Sequence, residues 1–150
     1  MAASHGLQVA MEHATRLRDA AMQRLAQARL ARQRAQQQMD QLTGYSGETE
    51  QRWLIRGQLG IAPEVMFHHR QFMARLDQTI ELQKTQMARH DQLVQDAERE
   101  LTQTELRLVS LRQVVQRRQH DAALALQRRE QKEVDELAAS RHRLKIQPTA

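Results

Sequence analysis

Cysteine is absent from this chain of 150 residues, which excludes disulfide staples and thiolate chemistry and is compatible with a reducing, cytosolic compartment. With two prolines and five glycines, strands have almost nothing to turn on. Aromatic residues make up 3%, too few for a packed α/β or all-β core. No apolar run is long enough for a signal peptide or a membrane span, and the start Met1-Ala2-Ala3-Ser4-His5-Gly6-Leu7 gives way to charge within a few positions. The expectation is a soluble chain that the general export pathway does not handle.

What is present points one way. Alanine, glutamine, arginine, glutamate and leucine dominate, and the mean hydropathy is −0.75. That is the profile of long helices or a coiled coil. The net charge is +5, mostly from arginine. Nucleic acid, anionic lipid or an acidic protein surface would all answer such a charge, as would a plain solvated helix surface.

Helix breakers cluster once, in Gly57-Gln58-Leu59-Gly60-Ile61-Ala62-Pro63-Glu64. Two close glycines favour a turn. Pro63 then suits a first helical position, where its missing N–H costs nothing, and Glu64 suits the positive helix end. Upstream, a seven-residue spacing picks out Leu7, Ala14, Ala21, Ala28, Ala35 and Leu42. A second row carries Met11, Leu17, Leu25, Ala31, Met39 and Tyr45. Together they form an alanine-rich apolar stripe. Downstream, Met66, Met73, Ile80, Met87, Val94, Leu101, Leu108, Val115 and Ala122 recur every seventh residue, all apolar. The companion row of His69, Leu76, Gln83, His90, Ala97, Thr104, Leu111, Arg118 and Ala125 is mixed.

Folding the chain at residues 60–61 sets Leu7 opposite Val115, Ala14 opposite Leu108, Ala21 opposite Leu101, Ala28 opposite Val94, Ala35 opposite Met87 and Leu42 opposite Ile80. Small residues repeatedly meet large ones, which fills a seam without voids. The expected fold is all-α: two long helices in an antiparallel coiled-coil hairpin, a single unit over 1–150. Helix 1 is expected over about 6–56, the turn over 57–62, helix 2 over about 63–143, and a disordered tail over 144–150. Thr43-Gly44-Tyr45-Ser46-Gly47 marks a weak point or kink in helix 1, since a helical glycine costs roughly 1 kcal/mol.

The arms differ in length, roughly 75 Å against 120 Å at the helical rise. Helix 1 is used up near Val115, so residues 116–143 overhang without an intramolecular partner. The overhang carries Ala122-Ala123-Leu124-Ala125-Leu126, then Val134 and Leu137, among Arg117, Arg118, Arg128, Arg129 and Lys132. A single exposed helix is marginal in water. It is best explained as a surface for another protein.

Chemistry is hard to find. No phosphate loop, nucleophile triad or metal-ligand spacing is present. His5, His13, His68, His69, His90, His120 and His142 form no i,i+4 pair, and the Asp77 and Glu81 carboxylates read as a solvated face. No enzyme activity, metal, cofactor or small-molecule substrate is expected. The run Arg24, Arg29, Arg32 and Arg34, with no acid between Asp19 and Asp40, invites a phosphate-binding reading or a solvated face. Gln38, Leu42 and Tyr45 share a helical face opposite Gln83, Thr79 and Leu76, and Phe72 completes the row. Tyr45 and Phe72 are two of only four aromatics, so this patch is either extra seam packing or a partner site.

Several stretches carry a family resemblance. They are the His5-Gly6-Leu7 start, Gln38-x3-Leu42-x2-Tyr45, the Gly60-Ile61-Ala62 turn, Gln71-Phe72-x3-Leu76-x3-Ile80-Glu81, and Gln131-Lys132-x-x-Asp135-Glu136. Spread over most of the chain, they resemble the FliJ family of the bacterial flagellar export apparatus. The resemblance implies a non-enzymatic, cytoplasmic stalk, peripheral at the cytoplasmic face of the inner membrane. The end with both termini enters the export ATPase ring, and the turn-proximal region meets the transmembrane export gate. Export chaperones are further implied partners; nucleic acid and direct membrane insertion are not. Carried over by position, the gate surface comprises Gln38, Leu42, Tyr45, Phe72, Leu76, Thr79 and Gln83. The overhang's Arg117, Arg118, Leu124, Leu126, Arg128, Arg129 and Lys132 become the ring-binding candidates. Gly44, Gly47 and Thr49 depart from the family pattern, Thr49 where an aromatic is expected. The equivalent stalk of a virulence injectisome shares this reading, and a basic nucleic-acid-binding coil or a structural spacer stands as the alternative from another class.

Overall fold

The computed structural model describes residues 2–146, with side chains from Ser4 onward. Two helices account for nearly all of it: α1, Ala2–Leu59, and α2, Pro63–Ile146. They pack against each other as a helical hairpin, and α2 is the longer by 84 residues to 58.

The turn is shorter than the sequence suggested. Helix continues through Gly57, Gln58 and Leu59, and only residues 60–62 lie outside it. Gly60 takes φ 90°, a left-handed conformation open to glycine at little cost. Its N–H donates to the Gly57 carbonyl at 3.4 Å and so closes α1. Pro63 occupies the first position of α2, Glu64 lies in its first turn, and the Met66 N–H donates to the Ala62 carbonyl at 3.1 Å. Ala62 therefore serves as the cap residue of α2.

Gly44 and Gly47 do not interrupt α1. The hydroxyls around them bond back along the helix, Thr43 to the Met39 carbonyl at 3.0 Å and Thr49 to the Tyr45 carbonyl at 2.7 Å. At the far end, α2 runs on through 144–146, against the disordered tail expected from residue 144; Arg143 and Lys145 in its last turn suit the negative helix end. Residues 147–150 of that tail lie outside the described residues.

By their contacts the residues fall into two units, each containing a piece of both helices: 16–105, and 1–15 with 106–150. In the first, Leu25, Val94 and Ala97 form the buried core, with Ala28 and Leu101 packed against it. Ala21, Ala35 and Leu76 are buried in the same unit. In the second, Ala14 and Leu108 are buried, Leu108 more completely than any other large side chain, while Leu7, Met11, Leu111 and Val115 are half-buried.

Along α2 the pattern follows the two heptad rows. Met66 to Val115 and His69 to Leu111 are all buried or half-buried. Val115 is the last such residue. From Gln116 to Ile146 every side chain is exposed, which is the overhang of the longer helix.

The glycines separate turn geometry from helix propensity. A Cβ at Gly44 or Gly47 meets nothing within 4 Å. Gly44→Ala and Gly47→Ala should each raise stability by roughly 1 kcal/mol. Gly60→Ala, forced into the left-handed region, should lower it by about 1–2 kcal/mol. Thermal melts followed by circular dichroism check all three, and a stabilising Gly60→Ala would overturn the assignment of the turn.

Candidate functional site

The seven turn-proximal candidates divide by burial. Leu76 is buried and Leu42 is half-buried, so both belong to the seam that holds α1 on α2. Gln83 also turns inward. Its Nε2 donates to the Ala35 backbone carbonyl across the seam at 2.9 Å and lies 3.4 Å from Gln38 Oε1. Thr79, on the outside, donates to the Arg75 carbonyl at 3.0 Å.

Tyr45 and Phe72 meet edge to face, with ring centroids 6.0 Å apart and planes at 84°. The pair still leaves Tyr45 50% and Phe72 40% exposed. An aromatic pair of this geometry adds about 0.5–1.5 kcal/mol beyond its buried area, yet half of each ring remains for a partner. Gln38, Tyr45, Phe72 and Thr79 therefore present an outward face, and Leu42, Leu76 and Gln83 position it from beneath.

The patch reaches further toward the turn than sequence reasoning placed it. Trp53 stacks on His69, with ring centroids 3.9 Å apart and planes at 24°. Tyr45, Thr49, Trp53, His69 and Phe72 line one open groove between the helices. The available signal was positional, since Trp53 stands opposite His69 in the hairpin register. Thr49 sits in this groove, its hydroxyl bonded back to the Tyr45 carbonyl.

The other candidates lie on the exposed stretch of α2. Arg117, Arg118, Leu124, Leu126, Arg128, Arg129 and Lys132 are all solvent-facing. Among the described residues none of these five cations makes an ion pair. Leu126, Leu137 and Leu144 expose most of their surface and recur at helical spacing.

The basic run of α1 is a different matter. Arg24 pairs with Glu100, through Nε at 3.1 Å and through a closer Nη2 contact. Arg29 reaches Glu98 at 3.5 Å, and Arg32 pairs with Asp91. Three of the four arginines therefore face acids on α2, far away in the sequence, rather than an open phosphate-binding surface. No cluster of histidine, aspartate and glutamate able to hold a metal occurs among the described residues.

Removing those acids should expose the run. The triple variant Asp91→Asn, Glu98→Gln, Glu100→Gln is expected to bind duplex DNA more tightly than the native chain at low salt, with a steep salt dependence. Fluorescence anisotropy measures it. Equal binding by the two proteins would show that the pairs do not mask the run.

The family model described as flagellar FliJ protein matches residues 4–147. No curated protein matches the chain.

Proposed function

The chain belongs to the flagellar FliJ protein family, and from that membership we propose that it is the non-enzymatic central stalk of the flagellar export apparatus, linking the export ATPase ring to the membrane export gate. The observation that carries this reading is the exposed stretch of α2 after Val115. An isolated helix in water lacks the tertiary packing that normally maintains it. This one keeps apolar positions and a set of unpaired cations on display, which suits a ring lumen with acidic walls.

The second contact is assigned to the outward face at Gln38, Tyr45, Phe72 and Thr79, with Leu42, Leu76 and Gln83 holding it in place. Two half-exposed aromatic rings above an alanine-rich seam supply the kind of anchor that dominates protein interfaces. On this reading the gate meets the turn-proximal unit and the ATPase meets the unit with both termini. The stalk would work at the cytoplasmic face of the inner membrane and would also receive export chaperones. Family membership supports the flagellar export setting, and the division of partners between the two surfaces is the proposal.

Each contact has its own test. Deleting residues 116–150 should abolish co-purification with the export ATPase while the hairpin keeps its helical melting transition. Retained binding would sink the ring assignment. Tyr45→Ala with Phe72→Ala should weaken gate binding with a fall in stability of no more than about 1–2 kcal/mol, the order of one aromatic pair. A collapse of helicity in that variant would instead make the two rings part of the core.

A further inference from the structure

The turn end carries apolar side chains that the seam does not use. Trp53 and Met66 face the opposite helix and are half-buried. Their neighbours are not. Leu54 is 72% exposed, Leu59 85% and Phe67 58%, with Ile55 and Val65 also exposed. Successive residues on a helix diverge by about 100°. Val65 and Phe67 therefore lie on the two flanks of α2; Ile55 and Val65 border the groove of Tyr45 and Phe72, while Leu54 borders a separate groove with Glu50 and Met66. The apolar surface goes round the end of the hairpin rather than lining one side of it.

The same end is cationic. Nearest the turn, between residues 52 and 70, stand Arg52, Arg56 and Arg70 with Glu64 the single acid; Arg75 lies further back, as do Glu48, Glu50 and Asp77. Arg52 has Glu48 at 4.0 Å, but among the described residues Arg56, Arg70 and Arg75 have no acidic partner. Around the seam core the opposite holds, with Arg24, Arg29 and Arg32 all matched by acids of α2. Unmatched cations therefore stand beside the exposed apolar residues of the turn end, as they also do on the exposed stretch of α2.

These two properties select an occupant. A second copy of this end brings the same charge and is repelled. One acidic protein groove covers a flank and leaves the rest of the apolar ring in water. A bilayer surface containing acidic lipids takes both at once, apolar tips among the headgroups and arginines on the phosphates. Tryptophan and tyrosine, set back from the tip, are the residues that favour the membrane–water boundary.

We infer that the turn end docks on an anionic lipid surface, with Leu54, Leu59 and Phe67 entering the headgroup region and Arg52, Arg56 and Arg70 held at the lipid phosphates. Among the described residues no helix is long and apolar enough to cross a membrane, and the contact proposed is interfacial. It departs from the expectation of no direct membrane insertion. It rests on the turn end alone and is independent of the stalk reading.

The test uses the full chain and vesicles of phosphatidylcholine, either pure or mixed in equal parts with phosphatidylglycerol. Co-sedimentation is expected with the mixed vesicles and not with the pure ones. Trp53 is the only tryptophan, so its emission reports the turn end directly. It should shift to the blue and be quenched by brominated lipid. Each surface arginine is worth roughly fivefold in membrane partitioning, so Arg52→Gln with Arg56→Gln and Arg70→Gln should lose roughly a hundredfold. Leu54→Ser with Leu59→Ser and Phe67→Ser should also release the chain, roughly tenfold for each side chain that inserts. These side chains are exposed, and an unchanged circular-dichroism melt will confirm that each variant folds.

A control variant, Arg117→Gln with Arg118→Gln, Arg128→Gln and Arg129→Gln, should keep its binding. Failure to sediment with acidic vesicles at low salt overturns the inference. So does an unquenched Trp53 in a chain that sediments, as does loss of binding in the control variant while the turn-end variants still bind. Those last two outcomes would put the lipid contact on the exposed stretch of α2.

Discussion

Everything in this protein depends on small side chains on one helix meeting large ones on the other. Ala14, Ala21 and Ala35 are buried on α1, and Leu76, Val94 and Leu108 are buried on α2. Alanine lets the helices approach, and the larger residues fill the space this leaves. The cross-helix ion pairs are secondary. Exposed pairs such as Arg29 with Glu98 contribute about 0.2–1 kcal/mol each, against about 1.5–3 kcal/mol for a fully buried leucine or valine. The seam provides the stability, and the charges flanking it help to fix which residues lie opposite one another.

That division explains what was legible in the sequence. The two heptad rows of α2 could be read directly, because a seam between two helices has one periodicity and few ways to fill it. Burial follows the rows from Met66 to Val115, and exposure begins at Gln116, where the shorter arm runs out of partners. The length of α2, which contains no glycine, was legible for the same reason.

Other features were not, and each has a physical cause. The partners of Arg24, Arg29 and Arg32 are far away in sequence and sit beside the seam, outside any heptad row. A charge run read along one helix cannot reveal the acids across from it. Gly44, Gly47 and Gly57 looked like breaks because propensity counts only the local cost, roughly 1 kcal/mol each. Tyr45 against Phe72 and Trp53 against His69 hold α1 in place on either side of Gly47. Of the turn-proximal surface, the contact of Gln38 with Gln83 follows from the hairpin register, whereas Tyr45, set opposite Leu76 by that register, meets Phe72 one turn nearer the loop. The inward turn of Gln83 onto the Ala35 carbonyl does not follow from it either, because a glutamine in a mixed row satisfies its amide equally well in water.

The three residues between the helices have a consequence for information rather than for energy. Every seventh residue from Met66 to Ala122 is apolar, so a seam displaced by one heptad would still present an unbroken hydrophobic row. Hydrophobicity alone therefore leaves several alignments close in energy. The span from Gly60 to Ala62 removes that degeneracy by fixing how far along α2 each residue of α1 can reach, and the bond from Gln83 to the Ala35 backbone, with the cross-helix ion pairs, marks the chosen alignment. The turn acts as the zero mark of a ruler whose graduations are the heptads. Adding or removing one residue there would rotate every later position by more than a quarter of a helical turn and displace the buried rows together.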